Sequence, residues 1–236
     1  MSMRIALAVT VVLALSGCRI VSEKKLAELR SPVNPHVAQA AEIYRSQIAP
    51  QAVKTAQPLG ELLARIAQAK DFDSACGLLG YRAQPEFPCY FNVKVSGEVA
   101  AVNTRSRSGK LTLKLTDAPL SSVEVQIGPV YRGTALRDSY RGLSYGDFND
   151  QALFGDFARA INQASIDELA GSPPKVGDHI TVYGVFSSWQ APAEPLLITP
   201  VNVLIGENGA GKSTMMKLLA GVTPRPPVPS SWRVKR

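Results

Sequence analysis

Alternation of apolar and polar residues in the middle of the chain constrains the fold more than any other feature of the sequence. Leu111, Leu113 and Leu115 are each followed by a polar residue. A Ser-Arg-Ser-Gly turn at 106–109 separates them from an earlier, partly alternating stretch at 90–102. Because side chains of a strand point to opposite faces in turn, this pattern predicts a β-hairpin with one buried face.

Further strands are predicted on both sides of a single helical stretch. Val123, Val125 and Ile127 mark a third strand, residues 147–169 have helical spacing, and two strands follow at 180–186 and 196–203. Three strands, a helix and two strands is the element order of the OB-fold, a small Greek-key barrel. Five short strands also favour closure, since a closed barrel has no open edges.

The predicted fold is therefore α+β, with a helical N-terminal layer and a small five-stranded OB-like β-barrel that has one helix between strands three and four. The helical region spans 36–86, where apolar residues recur at helical spacing in 36–49, 59–69 and 71–79. The barrel domain spans 87–203. Residues 18–35 are polar and interrupted by prolines, which is typical of a tether.

The N-terminus carries an export signal. Arg4 precedes an apolar run at 5–15, which is too short for a membrane span of about 20 residues. Leu15-Ser16-Gly17-Cys18 then resembles the bacterial lipobox, in which the cysteine is lipidated after removal of the signal peptide, here 1–17. We expect Cys18 to anchor the mature chain to a bacterial membrane, with its body periplasmic or extracytoplasmic; a plain secretory signal is the alternative.

The C-terminus carries a different signal, an ATP-binding loop. The segment 204–222 fits G-x-x-x-x-G-K-[ST], a loop whose N–H groups cradle phosphates while its lysine and hydroxyl contact phosphate and Mg²⁺. The run VLIGENGAGKSTMMKLLAGV at 203–222 closely resembles the start of ATPase subunits of bacterial sugar importers of the ABC class. The nucleotide-binding residues would be Gly206, Gly209, Gly211, Lys212, Ser213 and Thr214.

We expect this loop to be vestigial, with no cofactor bound. Hydrolysis needs a second acidic strand and further loops, because the Gly-rich loop only positions phosphates, and 24 residues follow Lys212. The last of them, 223–236, are basic, Pro-rich and predicted to be disordered. A gene fusion and a reading-frame artefact both account for the segment. ATP with Mg²⁺ would be the cofactor only if the chain were an ATP-binding transport subunit.

Charge argues against a nucleic-acid partner. The formal charge is +7, but six basic residues and one acidic residue lie from Val201 onward, whereas residues 18–200 hold 19 basic and 18 acidic residues. A third functional interpretation, besides the lipid-anchored protein and the ATP-binding transport subunit, is an oligonucleotide-binding barrel, since many OB-folds bind such ligands. The predicted second strand offers Lys110 and Lys114 but no aromatic platform on which bases stack.

Cysteine and histidine usage limits the remaining chemistry. With Cys18 assigned to lipid, Cys76 and Cys89 are left, and an oxidising compartment permits their pairing. Whether they pair stays open, because sequence does not show how close the two Cα atoms lie. We predict no metal site, since His36 and His179 are the only histidines and are far apart in sequence.

The distinctive internal motif is IGPVYRGTALRD at 127–138. Its candidate residues for a ligand site or a structural role are Gly128, Arg132, Gly133, Thr134, Arg137 and Asp138. Two guanidiniums beside flexible backbone suit a carboxylate, a phosphate or sugar hydroxyls. The structural alternative, which we favour, is an ion pair such as Arg137 with Asp138 or Asp147.

Together with the lipobox, the segment DFNDQ at 147–151 and the closing ITPV at 198–201, this motif resembles an uncharacterised family of bacterial predicted periplasmic lipoproteins. The resemblance spans about residues 5–201 and implies no established activity. Members are often found beside genes of sugar ABC importers. The implied function is a non-enzymatic binding or accessory module, with importer components as partners.

The lipobox generates the first prediction. Cys18→Ser removes the thiol that accepts the lipid, so we expect the variant to lose both lipidation and lipoprotein-specific cleavage and to leave the membrane fraction. Radiolabelled palmitate incorporation and membrane fractionation measure the two effects. A variant that is processed and fractionates like wild type would contradict the anchor.

Overall fold

A computed structural model describes residues 35–171 and 174–206, so Cys18 and the predicted nucleotide-binding residues after Gly206 lie outside the described part. The chain divides into two compact units at Ala38 and Gln39. In the first unit the described element is helix α1 (Pro35–Ala38). All other described elements belong to the second unit.

Helices and a short strand open the second unit. They are α2 (Ala40–Ile43), a π-helical turn (Tyr44–Ile48), α3 (Ala49–Thr55), β1 (Gln57–Pro58), α4 (Leu59–Gln68) and α5 (Phe72–Leu79). The first three run on without a break in helical backbone, so the predicted helix at 36–49 extends to Thr55. Helix α5 begins at a side-chain cap, where Asp71 accepts a hydrogen bond of 2.7 Å from the Ser74 amide.

The remaining elements build the barrel. They are β2 (Cys89–Asn103), β3 (Ser108–Lys114), β4 (Ser122–Pro129), α6 (Ala135–Asp138), a 3₁₀ turn (Tyr145–Asp147), α7 (Gln151–Glu168), β5 (His179–Ser188) and β6 (Leu197–Ile205). Neighbouring strands follow the order β2-β3-β4-β6-β5, and β5 pairs again with β2, which closes the barrel. The pair β4–β6 is parallel and the others are antiparallel. The predicted α+β, OB-like architecture is confirmed.

The structure also differs from the sequence prediction at two barrel-domain boundaries and in one additional strand. Helix α7 begins at Gln151 because Asp150 caps the amides of Ala152 and Leu153 at 2.7 and 2.9 Å. Strand β6 continues to Ile205, two residues beyond the predicted end of the barrel, because it pairs with β5 up to Ile180. The two-residue strand β1, which was not predicted, joins the sheet parallel to β2.

Helices and barrel share one hydrophobic core. Alternate residues of the strands point inward, as the period of two predicts, and helices α4 and α5 add buried side chains to the same cluster. Members from both parts include Leu62, Ile66, Phe91, Leu113 and Val182. Burial of such side chains stabilises the fold by about 1.5–3 kcal/mol each relative to exposure.

A disulfide joins the helical layer to the first barrel strand. Cys76 of α5 and Cys89 of β2 are bonded, with their Cα atoms 5.9 Å apart. Next to the disulfide, Tyr81 forms a β-bridge with Tyr90, the residue after Cys89, through two main-chain hydrogen bonds of 2.8 and 2.9 Å. Gly80 is required here, because a Cβ atom would lie 2.7 Å from the Cys89 sulfur.

Among the described residues, none of the helices combines the length and the apolar character needed to cross a bilayer.

Candidate functional site

The motif at 127–138 leaves the barrel at the end of β4 through a tight backbone path. Gly128 has a φ of +76° and precedes a cis peptide bond to Pro129. Tyr131 is then buried, and burial raises the pKa of its hydroxyl to about 12, so it is neutral at physiological pH. Gly133 again has positive φ, at +80°. Such backbone disfavours residues with a Cβ atom, which accounts for the glycines at both positions.

Gln126 of β4 fixes the backbone of Arg132. Its side chain is 1% exposed. The amide oxygen accepts from the Arg132 N–H at 2.5 Å, and the amide nitrogen donates to the Arg132 carbonyl at 3.1 Å. The same nitrogen donates to Thr199 Oγ1 of β6 at 2.8 Å. Gln126 therefore joins β4, β6 and the motif, and both its hydrogen-bonding atoms are satisfied, as burial demands.

The carboxylate of Asp138 is a junction of hydrogen bonds. Its oxygens accept from the Thr134 hydroxyl at 2.5 Å, from the Tyr90 hydroxyl at 3.0 Å and from the Arg137 guanidinium at 2.6 Å. Burial, and then the nearby Asp138 charge, raises the pKa of Tyr90, which stays a neutral donor. The motif is thereby tied to strand β2.

Arg137 has a structural role. Besides its pair with Asp138, it donates to the Phe154 carbonyl at 2.9 Å and its guanidinium carbon lies 3.6 Å from the centre of the Phe154 ring. The side chains of Arg137 and Asp138 are 12% and 19% exposed. The structure thus pairs Arg137 with Asp138, the first of the two partners considered from sequence, and directs the pair toward helix α7.

Arg132 is placed differently. Its main chain is held by Gln126, but its guanidinium is exposed and makes no hydrogen bond or ion pair with any described residue. It lines an open pocket of about 600 Å³, which we call the Arg132 pocket. Gly133 and Thr134 line the same pocket, whereas Gly128, Arg137 and Asp138 do not.

The opposite wall of the Arg132 pocket is the loop between β5 and β6. Trp189 stands at its start with 66% of its surface exposed, and Pro192 and Pro195 follow. Glu194 anchors the loop, since its carboxylate accepts from the Ser121 amide at 2.6 Å and the Ser121 hydroxyl at 2.9 Å. These bonds lower the pKa of Glu194. The exposed indole is therefore presented by a fixed loop.

The pocket combines one cation, the aromatic residues Tyr90 and Trp189, and several neutral polar groups. Thr134, Ser187, Ser188 and Gln190 supply hydroxyls and an amide. The lining contains no carboxylate, histidine or cysteine. Within the described residues, no three metal-ligating side chains cluster either. This set is suited to binding a polar ligand, and it offers no acid–base pair for catalysis.

Sequence reasoning missed Gln126 and Trp189. Gln126 lies within an alternating strand, at a position that a five-stranded barrel alone would leave facing solvent, and only the motif packed above it buries the side chain. Trp189 lies in a loop, where no periodic pattern marks it. The sequence signal that was available is a tryptophan directly after a strand, since binding residues are concentrated in loops on rigid scaffolds.

Gly206, the first glycine of the predicted nucleotide-binding loop, is hydrogen-bonded to the barrel at the end of β6. Gly206 donates its amide to the His179 carbonyl at 3.1 Å, and Val203, Leu204 and Ile205 pair antiparallel with β5. Other nucleotide-binding candidates, from Gly209 to Thr214, lie outside the described residues. A strand that feeds a phosphate-binding loop normally belongs to a parallel βαβ arrangement, whereas the end of β6 pairs antiparallel with β5.

The surface of β3 and β4 carries two lysines, of which Lys110 is paired and Lys114 is exposed. Lys110 pairs with Glu124 across the two strands at 2.6 Å, and neither strand contains an aromatic residue. Both features disfavour stacking and backbone binding of a nucleic acid at this surface.

Comparison with solved structures agrees with the architecture. The chain is similar to an OB-fold protein from Thermotoga maritima MSB8, with a TM-score of 0.55 and 13% identity over 73% of this chain and 99% of that one. An OBody bound to hen egg-white lysozyme (15% identity, 50% and 97% covered) and the S. pombe Stn1–Ten1 complex (12%, 58% and 76%) both match with TM-scores of 0.26, too low to carry an argument. The fold class is thus an OB-fold barrel with an added helical layer.

Residues 8–204 match the family described as "Predicted periplasmic lipoprotein (DUF2291)", and the chain belongs to that family. The resemblance drawn from the lipobox and the internal motif is confirmed, as is a periplasmic, lipid-anchored location. The family has no assigned function. Among curated proteins, no sequence matches the chain.

The two arginines generate the second prediction. Arg137→Ala removes charge-assisted hydrogen bonds from a largely buried carboxylate, so we expect a loss of about 2–3 kcal/mol in the free energy of unfolding. At roughly 2–4 °C per kcal/mol this lowers the melting temperature by about 5–10 °C. Arg132→Ala should change stability by less than about 0.5 kcal/mol, because its side chain is exposed and its main-chain bonds persist. Thermal unfolding of both variants checks this, and equal effects would contradict the division of roles.

Proposed function

We propose that the protein is a lipid-anchored periplasmic binding module whose Arg132 pocket takes a small sugar or sugar acid. The observation that carries the proposal is that Arg132, whose guanidinium has no partner among the described residues, lines the same pocket as the exposed Trp189. An aromatic face packs against the apolar face of a sugar ring. A guanidinium with neighbouring hydroxyls and amides satisfies the ring's oxygens or a carboxylate.

The way the pocket is built also supports binding. Gln126 holds the Arg132 backbone, and Glu194 holds the loop of Trp189, so both walls are fixed by bonds that do not involve a ligand. A preformed site loses less conformational entropy when a ligand binds. The absence of carboxylates and histidines from the lining supports a non-enzymatic role.

We further propose that the partner is a sugar importer of the ABC class. The support is the segment 204–222, which resembles the start of such an importer's ATPase subunit, because genes that fuse are usually neighbours. Under this proposal the segment records gene order and does not itself bind nucleotide. An ATP-binding subunit would be the alternative, and the antiparallel pairing of β6 with β5 up to Ile205 counts against it.

The third prediction tests the pocket by calorimetric titration of the full-length lipoprotein in detergent micelles. The probes are glucose, ribose and xylose, their acids gluconate and glucuronate, and Mg-ATP. We expect binding of at least one sugar or sugar acid that Arg132→Ala and Trp189→Ala each weaken by tenfold or more, since each removes a major contact of roughly 1.5 kcal/mol or more.

Arg105→Ala is the matched control, because Arg105 is also exposed but lies in the β2–β3 loop away from the pocket lining. Binding that survives both pocket variants would contradict the site. Binding of Mg-ATP alone, abolished by Lys212→Ala, would instead favour the nucleotide-binding alternative.

A further inference from the structure

Two exposed loops lie side by side at one end of the barrel. They are residues 83–88, which precede β2, and residues 189–195, which follow β5. Cys89 pairs with Ser188 in the sheet, so the two loops leave the barrel from neighbouring strand ends. We call these two segments the aromatic loops.

The aromatic loops expose apolar side chains to water. Nine of their thirteen residues are alanine, proline, phenylalanine or tryptophan, and none is lysine or arginine. Phe87 is 46% exposed and Trp189 is 66% exposed. Neither ring contacts another aromatic ring among the described residues. Of the two acidic residues, Glu194 is hydrogen-bonded to Ser121 and Glu86 is exposed.

Bonds of the chain itself hold both loops in place. The first loop is closed by the β-bridge between Tyr81 and Tyr90 and by the disulfide at Cys89. At the start of the second loop, the Ser188 hydroxyl donates to the Gln190 carbonyl at 2.5 Å. The loops therefore cannot fold back over the two rings without breaking these bonds. Aromatic side chains kept in water on fixed loops are typical of a contact surface.

The lipid anchor keeps a bilayer within reach of this surface. Pro35, the first described residue, follows Cys18 by seventeen residues. Fully extended, such a segment spans up to about 60 Å, whereas a compact unit of about 170 residues is roughly 40 Å across. The length of chain between the anchor and the barrel therefore lets the aromatic loops meet the membrane. Anchoring also raises the effective concentration of the bilayer, so a modest apolar contact is sufficient.

Size and composition favour a bilayer over a protein partner. The aromatic loops have thirteen residues in all, whereas a standard protein interface uses about 20–30 residues on each side. Tryptophan is enriched where a membrane meets water, because its ring is apolar and its N–H group is polar. Since the loops contain no lysine or arginine, the contact does not depend on anionic lipid.

We propose that the aromatic loops dock on the bilayer that holds the lipid anchor, with Phe87 and Trp189 entering its interfacial region. The contact gives the anchored protein a defined face toward the membrane. Interfacial tryptophans lie at headgroup level, so the Arg132 pocket stays accessible from water. The inference goes beyond the proposed sugar site and does not depend on it, since Phe87 does not line that pocket.

The test, which is the fourth prediction, is fluorescence of the full-length lipoprotein in phosphatidylcholine vesicles whose acyl chains are brominated or unbrominated. Trp232→Phe leaves Trp189 as the sole tryptophan of the chain. We expect brominated lipid to quench the Trp189 emission, and phosphatidylglycerol in the vesicles to leave that quenching unchanged. Phe87→Ser should lower the ratio of docked to undocked molecules by about tenfold or more, because it removes the burial of one large apolar side chain.

Val176→Ser is the matched control. Val176 is also exposed, at 65%, but it precedes the ten-residue strand β5, whereas Trp189 follows it. A strand of that length separates the two positions by about 30 Å, so this variant should dock like wild type.

The proposal is overturned if brominated lipid leaves the Trp189 emission unchanged while iodide in the water quenches it. Protection from iodide without quenching by lipid would overturn it too, because a protein surface would then cover the loops. Loss of quenching by lipid in Arg132→Gln but not in Phe87→Ser would also contradict it, since the emission would then depend on the pocket and not on docking.

Discussion

The ion pair between Arg137 and Asp138 holds together the parts of the molecule that form the candidate site. The Asp138 carboxylate accepts hydrogen bonds from Thr134 and Tyr90. Arg137, which pairs with Asp138, also donates to the carbonyl of Phe154 on helix α7. Both side chains are largely withdrawn from water, where a charge-assisted hydrogen bond is worth more than at the surface. The motif has other anchors, since Tyr131 and Leu136 are buried and Asn162 of α7 donates to the Gly133 carbonyl at 3.0 Å, but the junction is the one that links it to β2 through a buried charge.

The two arginines of the motif look equivalent in sequence but have different partners in the structure. The guanidinium of Arg137 is already paired with Asp138, so Arg132 is the arginine of the motif that is available to a ligand. The barrel strands provide rigid walls, and the loops at their ends provide the exposed indole and the guanidinium. Binding groups carried by loops on a fixed barrel are common among OB-folds. Tyr90, whose hydroxyl donates to Asp138, also lines the Arg132 pocket.

The sequence predicts the barrel because burial of one strand face imposes a period of two, and Leu111, Leu113, Val123 and Val125 carry that period clearly. Element boundaries are less predictable, since caps such as Asp150 depend on a single side chain. Gln126 escaped prediction because it is a polar residue on an outward position of a strand, and what covers it comes from distant parts of the chain. The bond between Cys76 and Cys89 likewise depends on a Cα separation that spacing along the chain does not determine.

The measurement that tests the central claim most directly is a double-mutant cycle on the junction. It compares the free energies of unfolding of wild type, Arg137→Ala, Asp138→Ala and the double variant. The account predicts that the losses of unfolding free energy in the two single variants add up to more than the loss in the double variant. The difference, which is the coupling free energy, should be about 1.5–3 kcal/mol, because the two charges act on each other in a largely buried setting. Single effects that simply add, with a coupling near zero, would contradict the account, because the pair would then not constrain the motif.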